Sequence, residues 1–501
     1  MDSIPSSPFA VTRVVLAAQR HSRLSRASVF ARGALLCVLW VLVVVAGACD
    51  VQAAPPPLAG WSHSASLWID TTATGVELPD TAIVEQFPLL VRLDRDTFPF
   101  AEARRDGADI RFTTPNGQSL AFHFDHWRAD EGAAACWVLI PRIVGATRQE
   151  ICLHWGNPQA ESQSQAKSVF NSTNGHLSVW HLEPVVKDEV GTLETVDRGT
   201  ENADGVIGLA RRFTAGKGLF GGEKIAGYPT AASSHSTSAW FKADRPNSTL
   251  IGWGNEKAQG KVVMQYRSPP HIRMDCYFSG GNVASDAPSP LGEWTHVVHT
   301  YRQGRARLYI NGQPAGENTK DGPPLRIESP ARLWIGGWYH NYDYVGELDE
   351  VRVANVERSA EWIRLEYESQ RTDSRLVGAP VQPGDKLAVT PAQLDVGEDE
   401  SQVLVAQAGG ALRTYWTRVV DGRSTIVSTN RLKYEYASPR TAEDRKERIR
   451  FHAVYPDAVR TVDIPIIVRN SLPEPIISQR LVAVQWNGRD PLEITPQIDN
   501  L

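Results

Sequence analysis

The sequence predicts an all-β protein built from several β-sandwiches, and three observations favour this fold class. The chain has 501 residues, more than the roughly 100–200 residues of an ordinary domain, so several domains are expected. It holds 15 Trp but only 3 Met, a composition that suits rigid β-rich cores. Short alternating segments separated by Gly, Pro and Asn recur along the chain, which is the pattern of strands and turns.

The N-terminal region resembles a secretory signal. Basic residues precede an apolar run at 33–48, and small residues follow at a suitable cleavage spacing before Ala54. We therefore predict a signal peptide over residues 1–53 and an exported protein of the periplasm or cell surface. Two alternatives remain: an uncleaved membrane anchor formed by residues 33–48, or a lipidated Cys49 that would tether the protein to a membrane.

Charge and missing motifs exclude several classes of function. The formal net charge is −5, and residues 1–53 carry more basic than acidic residues, so the exported part is more negative still. This disfavours nucleic acid as a partner. The sequence has no phosphate-cradling glycine loop, GxSxG, HExxH or CxxC motif, so we expect no nucleotide, protease or redox chemistry.

Two cysteines are candidates for a disulfide in an oxidising compartment. Cys136 and Cys152 lie in "CWVLIPRI" and "EICLHWGN", two predicted strands joined by a short turn around Gly145. We predict a disulfide between them, although strand register leaves two free thiols as the alternative. Cys276 is expected to be unpaired and buried.

The first domain is predicted over residues 60–165. Its segments "FPLLVRLD", "GADIRFTTPNGQSLAFHFDHW" and "LHWGNP" resemble a bacterial exported domain of unknown function, which implies no activity.

The second domain is predicted over residues 172–372, with segments such as "TSAWFKA", "GEWTHVVHTYRQGRARLYINGQ" and "GELDEVRVANVERSAEWIRLEYESQ". Asn311-Gly312 predicts a type I′ hairpin turn. Taken in order, the segments resemble a laminin-G-like, concanavalin A-like jelly roll. We call this region the jelly-roll domain.

The third domain is predicted over residues 384–470. Its segments "TYWTRVV", "RIRFHAVYPD" and "TVDIPIIVRN" resemble an immunoglobulin-like domain of the polycystic-kidney-disease type. That resemblance implies Trp416 in the core and a last hairpin turn at 455–457. Residues 471–501 look like the start of a further repeat or a tail.

The segment "GELDEVRV" (346–353) raises the question of glycoside hydrolysis. Retaining hydrolysis needs two carboxyl groups ~5–5.5 Å apart, and Glu347 and Asp349 fit the first two positions of an E-x-D-x-x-E pattern. The acid/base position is not acidic, and on a regular strand Glu350 points away from Asp349. We therefore predict a structural strand and no enzyme activity, followed by a helix with Ser359 as N-cap.

The jelly-roll resemblance also implies one Ca²⁺ near the sheet rim. Asp349 matches the acidic family position, and Asp188 lies where a second ligand is often found. The alternative is a solvated or arginine-paired carboxylate, for instance with Arg352. Calcium is the only cofactor predicted.

Aromatic residues in a polar loop form the predicted ligand surface. The loop 336–346 contains five candidate sugar-binding residues: Trp338, Tyr339, Asn341, Tyr342 and Tyr344. The alternative is that these aromatics belong to the core. In "FHFDHW", His123 and Asp125 share a strand face as two candidate metal ligands; with no third ligand marked, a solvated strand face is favoured.

These observations predict an exported, non-catalytic binding protein that holds a polysaccharide or an envelope protein through its jelly-roll domain. One alternative is an accessory component of a proton-driven biopolymer-transport system, because the first two domains resemble the exported part of proteins fused to such channels. Another is a divergent glycoside hydrolase.

Overall fold

The computed structural model describes residues 56–191, 193–318, 322–337 and 342–472, with the backbone of the paired strands Ile476–Ser478 and Gln497–Asp499. Within these residues the chain is almost entirely β and forms several packed sheets, so the predicted fold class is confirmed. No helix in the described part is long and apolar enough to cross a membrane. The predicted signal peptide lies outside the described residues.

The first domain has seven strands in two sheets. They are β1 (His63–Asp70), β2 (Ile83–Asp94), β3 (Arg111–Thr113), β4 (Ser119–Leu120), β5 (Phe122–Arg128), β6 (Ala133–Val144) and β7 (Arg148–Trp155). The sheet orders are β1-β7-β3-β4 and β2-β6-β5. Alternating apolar residues such as Leu67, Leu89 and Phe112 fill the core between them.

The connection between β6 and β7 contradicts the prediction of a disulfide between Cys136 and Cys152. Although this turn joins β6 directly to β7, the two strands lie in different sheets. Cys136 pairs in register with Val91 of β2, whereas Cys152 pairs with Ser66 of β1. Both cysteines are buried free thiols. The prediction was wrong because the connection passes from one sheet to the other instead of closing a hairpin.

The jelly-roll domain begins after a short helix, α1 (Ala166–Val169), with strands β8 to β15. These are β8 (His176–Trp180), β9 (Val196–Asp197), β10 (Glu201–Asp204), β11 (Leu209–Phe213), β12 (Leu219–Ile225), β13 (His235–Ala243), β14 (Ser248–Gly254) and β15 (Lys261–Arg267). It continues with β16 (His271–Asp275), β17 (Val283–Ala284), β18 (Thr295–Arg302), β19 (Arg305–Ile310), β20 (Gln313–Glu317), β21 (Ala331–Ile335), β22 (Gly346–Ala354) and α2 (Ala360–Gln370).

Two large sheets of the jelly-roll domain enclose its main core. One has the order β10-β11-β22-β13-β18-β19-β20, with β8 also on β22, and the other has the order β17-β16-β15-β14-β21-β12-β9. Trp180, Trp253 and Tyr344 are fully buried between them. The predicted hairpin turn between β19 and β20 is confirmed, because Asn311 and Gly312 have φ of 49° and 75°.

Helix α2 is shared between two cores. Ser359 caps it as predicted, since its side chain accepts a hydrogen bond from the Trp362 backbone N–H. Trp362 and Leu365 pack into the core of the first domain, whereas Ile363 packs on the jelly-roll sheet. After the helix, Leu376 accepts a hydrogen bond from the backbone of Asp70 at 2.7 Å, so the chain returns to the edge of β1.

The third domain is a two-sheet sandwich. Its strands are β23 (Leu387–Thr390), β24 (Leu394–Gly397), β25 (Ser401–Ala408), β26 (Arg413–Val420), β27 (Arg423–Thr429), β28 (Lys433–Ala437), β29 (Arg445–Val454) and β30 (Val459–Arg469). The sheet orders are β23-β25-β28 and β24-β30-β29-β26-β27, with β24 parallel to β30. Trp416 is fully buried in the core, as predicted.

Candidate functional site

The predicted aromatic loop is only partly a surface feature. Trp338, Tyr339 and Asn341 lie outside the described residues. Tyr344 is fully buried against Phe213, and its hydroxyl donates to the backbone oxygen of Glu347 at 3.0 Å. Tyr344 is therefore a core residue, and its prediction as a ligand-binding residue was wrong.

Tyr342 remains a candidate contact residue. Its side chain is 43% exposed, and the guanidinium carbon of Arg267 lies 4.4 Å from the ring centroid. The backbone oxygen of Tyr342 accepts a hydrogen bond from Thr249 N–H at 2.6 Å. These contacts fix an exposed aromatic ring at the end of β14 and β15.

A second aromatic surface lies on the outer face of the same sheet. Phe220 of β12 and Trp334 of β21 are register partners with ring centroids 4.7 Å apart. The guanidinium of Arg198 lies 4.2 Å from the Phe220 ring centroid and 4.8 Å from the Trp334 ring centroid. Their neighbours in sequence, Leu219 and Leu333, face the core. Sequence reasoning missed this surface, although "LFGG" and "ARLWIGG" contain the alternation that reveals it.

Strand β22 carries a β-bulge at Glu350. Glu350 has a φ of 49°, and the register with β13 shifts between Asp349 and Arg352. Leu348 and Val351 face the jelly-roll core, so Asp349 and Glu350 both lie on the opposite face, toward the first domain. The expectation that they point to opposite faces was wrong, because the bulge adds one residue to the strand.

Each of the three carboxylates of "GELDEVRV" makes an ion pair or accepts hydrogen bonds, and those of Glu350 are described below with His181. Glu347 lies 2.6 Å from Arg212 Nη1. Asp349 accepts hydrogen bonds from the backbone of Val206 and Ile207 at 2.8 and 3.0 Å, and it is completely buried. Burial, and then the charge of Glu350, raise the pKa of Asp349 well above its usual value. No pair of these carboxylates is accessible to a sugar.

The two predicted calcium ligands do not fit a calcium ion. Asp188 accepts backbone hydrogen bonds from Val179, Val190 and Leu193 at 3.0–3.1 Å. Asp349 takes its backbone donors from a different loop. A hard cation needs several free oxygen ligands around one point, whereas N–H donors hold both oxygens of Asp188 and one of Asp349. Calcium binding at these residues stays a prediction that the geometry does not favour.

Titratable residues meet where the first domain contacts the jelly-roll domain. Three overlapping groups have ligand atoms within 4.8 Å of one another. We call the seven residues the junction cluster: His123, Asp125 and His126 from β5, and His181, Glu183, Glu189 and Glu350 from the jelly-roll domain. His123 and Asp125, the candidate pair from the sequence, belong to different groups, and each is grouped instead with residues of the jelly-roll domain.

His181 lies at the centre of the junction cluster. Its Nδ1 atom is 2.6 Å from Glu350 Oε1, and its ring stacks between Trp137 and His123 with centroids 5.6 Å from each. Its Nε2 atom is buried and has no hydrogen-bond partner among the described residues. Burial alone would lower the pKa of His181, but the carboxylates of Glu350 and Asp125 outweigh it and raise the pKa.

Glu350 connects His181 to further charged residues within the jelly-roll domain. Arg352 Nη2 lies 2.6 Å from Glu350 Oε2, and Arg352 Nη1 lies 3.3 Å from Glu366 Oε1. Burial favours the neutral form of Glu350, but His181 and Arg352 reverse this, and the net effect lowers its pKa. Glu350 is therefore ionised between two cations, in an ion pair that water does not reach.

Three further members of the junction cluster are also hydrogen-bonded. Trp137 Nε1 donates to Asp125 Oδ2 at 3.2 Å, and His126 Nδ1 lies 3.0 Å from Asp125 Oδ1. Glu183 accepts from the backbone of Leu209 at 3.0 Å. Both carboxylate oxygens of Asp125 therefore have a partner within the first domain.

The comparisons with known families identify two parts of the chain. Residues 221–364 match the model of the concanavalin A-like lectin/glucanases superfamily. Residues 106–178 match the Domain of unknown function (DUF2341). The two corresponding resemblances are therefore confirmed, while the immunoglobulin-like identity of the third domain stays a prediction. No curated protein matches the chain.

The chain is similar in part to several solved structures. Domain 4 of AbnA, a GH43 extracellular arabinanase from Geobacillus stearothermophilus in complex with arabinotriose, has 18% identity, 38% coverage of this chain, 97% of that chain and a TM-score of 0.32. A SAP-like pentraxin from Limulus polyphemus has 19% identity and a TM-score of 0.24, and the match covers 27% of this chain and 70% of the pentraxin chain. A Trypanosoma rangeli sialidase has 19% identity and a TM-score of 0.30, and the match covers 38% of this chain and 33% of the sialidase chain. TM-scores this low carry no inference about function.

Proposed function

We propose that this chain is an exported binding protein whose jelly-roll domain holds a polysaccharide without cleaving it. The observation that carries the proposal is the aromatic-arginine surface on one sheet of a concanavalin A-like domain, where the exposed ring of Tyr342 lies beside Arg267 and the half-buried rings of Phe220 and Trp334 lie beside Arg198. Sugar C–H faces stack on aromatic rings, and guanidinium groups donate hydrogen bonds to hydroxyls or acidic groups. In this proposal the first domain and an immunoglobulin-like third domain support and display the jelly-roll domain.

The state of the carboxylates supports a role without catalysis. Hydrolysis needs an acid and a nucleophile that reach the same glycosidic bond. Asp349 and Glu350 are 0% and 1% exposed, beneath the first domain. Glu347 is paired with Arg212. A sugar bound on the aromatic surface would therefore find no reactive pair in this segment.

The proposal is tested by glycan binding to the chain from residue 54 to residue 501. The whole exported chain is needed, because Trp362 and Leu365 of α2 belong to the core of the first domain. A panel of neutral and acidic polysaccharides would be screened, and the best ligand titrated against Tyr342→Ala and Trp334→Ala. We expect at least one variant to bind at least tenfold more weakly, a loss of about 1.4 kcal/mol.

Phe278→Ala is the matched control, because Phe278 is 73% exposed but lies near Lys261, at the other end of β15 from Arg267. It should bind like the unmodified chain. A folded chain that binds no glycan would refute the proposal and redirect the search to envelope proteins. Release of reducing sugar from a bound glycan would instead refute the absence of catalysis.

A further inference from the structure

We propose that His123, His181 and Glu189 bind a divalent transition-metal ion of the zinc type, which joins the first domain to the jelly-roll domain. His123 is on β5 of the first domain, whereas His181 and Glu189 lie on either side of a loop that follows β8. The proposal is independent of polysaccharide binding, because the aromatic surface lies on the other large sheet of the jelly-roll domain.

The three ligand atoms are already close together. One nitrogen of each histidine and one oxygen of Glu189 lie within 4.8 Å of one another, and His123 Nε2 is 3.8 Å from Glu189 Oε2. Ligands of a tetrahedral zinc ion, each about 2.0–2.2 Å from the metal, lie roughly 3.4 Å apart. Small side-chain movements would therefore bring all three ligand atoms within bonding distance of one ion, and water would take the fourth position.

The hydrogen bonds of His181 leave one nitrogen for a metal. Nδ1 faces Glu350 at 2.6 Å, while Nε2 is buried and has no hydrogen-bond partner in the described part of the chain. A histidine that donates one N–H to a carboxylate and coordinates metal through the other nitrogen is the common arrangement around zinc. Glu350 would thus orient His181, and the metal would replace a proton on a nitrogen that has no acceptor.

The chemistry of the donor set selects the class of metal. Imidazole nitrogen suits zinc and its transition-metal neighbours, whereas calcium and magnesium prefer oxygen ligands. His123 Nδ1 lies 3.4 Å from Ser164 Oγ, which leaves Nε2, 3.8 Å from Glu189 Oε2, for a metal.

One cation competes for the same carboxylate. Lys187 Nζ lies 3.2 Å from Glu189 Oε2, but the Lys187 side chain is 58% exposed. Glu189 is buried, but the exposed Lys187 is free to turn into solvent, so it is a weak competitor for the carboxylate. Its replacement in Lys187→Ala should increase the affinity for zinc, since it removes the competing charge and leaves all three ligands in place.

The test uses metal content and thermal melting of the exported chain. After treatment with chelator and removal of the chelator, one equivalent of Zn²⁺ should bind per chain. The melting temperature should rise with the logarithm of free Zn²⁺, because the metal binds the folded chain. Ca²⁺ and Mg²⁺ at the same concentrations should produce no shift. A chain that binds no zinc, or that melts identically with zinc and with chelator, would overturn the proposal.

Variants assign the ligands. His123→Ala and Glu189→Gln should each lose the bound equivalent and the zinc-dependent shift. His126→Ala is the matched control on the same strand, and it should keep both. Because the readout is the difference between zinc and chelator within each variant, a general loss of stability does not imitate the result. A shift that survives in His123→Ala, or disappears in His126→Ala, would refute this assignment of ligands.

Discussion

His181 Nδ1 and Glu350 Oε1 lie 2.6 Å apart although the residues are separated by 169 positions in the chain. The contact connects the loop after β8 to the bulge of β22, directly beneath Trp137 and Asp125 of the first domain. Since Glu350 also contacts Arg352, one buried carboxylate balances two cations. The face of the jelly-roll domain that meets the first domain therefore contains a buried ion pair beside the apolar contacts of Trp137 with Phe170.

Replacement of Glu350 should strongly destabilise the chain. Glu350→Gln keeps the size of the side chain but leaves Arg352 and His181 without their shared counter-charge. Removal of one partner from a buried ion pair typically costs about 3–5 kcal/mol. We expect a correspondingly lower midpoint in urea denaturation monitored by tryptophan fluorescence.

Glu317→Gln provides the control for this change. Glu317 is an exposed partner of Arg307 in the same domain, so its loss should cost less than about 1 kcal/mol. Equal effects of the two substitutions would show that the buried carboxylate has no special role in stability.

Acid should weaken the jelly-roll core through its buried histidines. Burial lowers the pKa of His235 to about 4, and burial with nearby His235 lowers the pKa of His299 well below its usual value. In the unfolded chain both titrate near 6.5. From about pH 6.5 down to 4 the unfolded chain therefore takes up protons that the folded chain does not, and the free energy of unfolding falls by up to ~1.4 kcal/mol per pH unit for each histidine.

Urea denaturation at pH 7 and pH 5 measures this dependence. His299→Gln removes one of the titrating groups, so its free energy of unfolding should depend less steeply on pH, whatever its stability at pH 7. An unchanged slope would contradict the assignment to His299.

All three cysteines of the described region should behave as buried thiols. Burial raises the pKa of Cys136 and Cys276, and burial with the nearby charge of Glu150 raises that of Cys152 to about 11. The thiolate is the reactive form. A thiol reagent added to the unreduced chain from residue 54 should label none of them in the native state and all three in denaturant. Fewer than three in denaturant would indicate a disulfide.

Arg413 should hold the third domain in place. It is 2% exposed, and its Nη2 atom lies 3.3 Å from Asp70 Oδ2 in β1. Arg413→Met removes the charge but keeps much of the side-chain volume, and leaves Asp70 with the half-buried Arg148 as its only cation within 4 Å among the described residues. We expect faster proteolysis of the segment 371–386 and a loss of about 3–5 kcal/mol in stability. Arg448→Met, at an exposed pair with Asp463, should change neither.

The sequence was sufficient where a local pattern determines the structure. Asn311-Gly312 forms the predicted turn because both residues accept positive φ, and Ser359 caps α2 because its hydroxyl reaches the next turn. Both of these features depend on neighbours close in sequence. The burial of Trp416 was implied instead by the resemblance of its segment to an immunoglobulin-like domain.

The sequence was insufficient where pairing between distant strands determines the structure. Glu350 changes face because β22 has one more residue than its partner β13 in this region, and no local signal marks that bulge. Cys136 and Cys152 separate because a short turn connects two sheets. His123 lies beside His181 and Glu189, which belong to the following domain. The junction cluster could not be predicted from the sequence, because it depends on how the two domains pack together.

The sharing of α2 and of the segment after it has a consequence for biosynthesis. A ribosome makes the strands of the first domain long before it makes Trp362, Leu365 and Leu376, which complete that domain's core. The core of the first domain therefore stays incomplete, with part of its apolar surface exposed, until the entire jelly-roll domain has been translated. Folding should therefore begin in the jelly-roll domain, in the middle of the polypeptide, and the first domain should complete its fold afterwards. The nascent chain should depend most on chaperones early in synthesis, before the jelly-roll domain has been made.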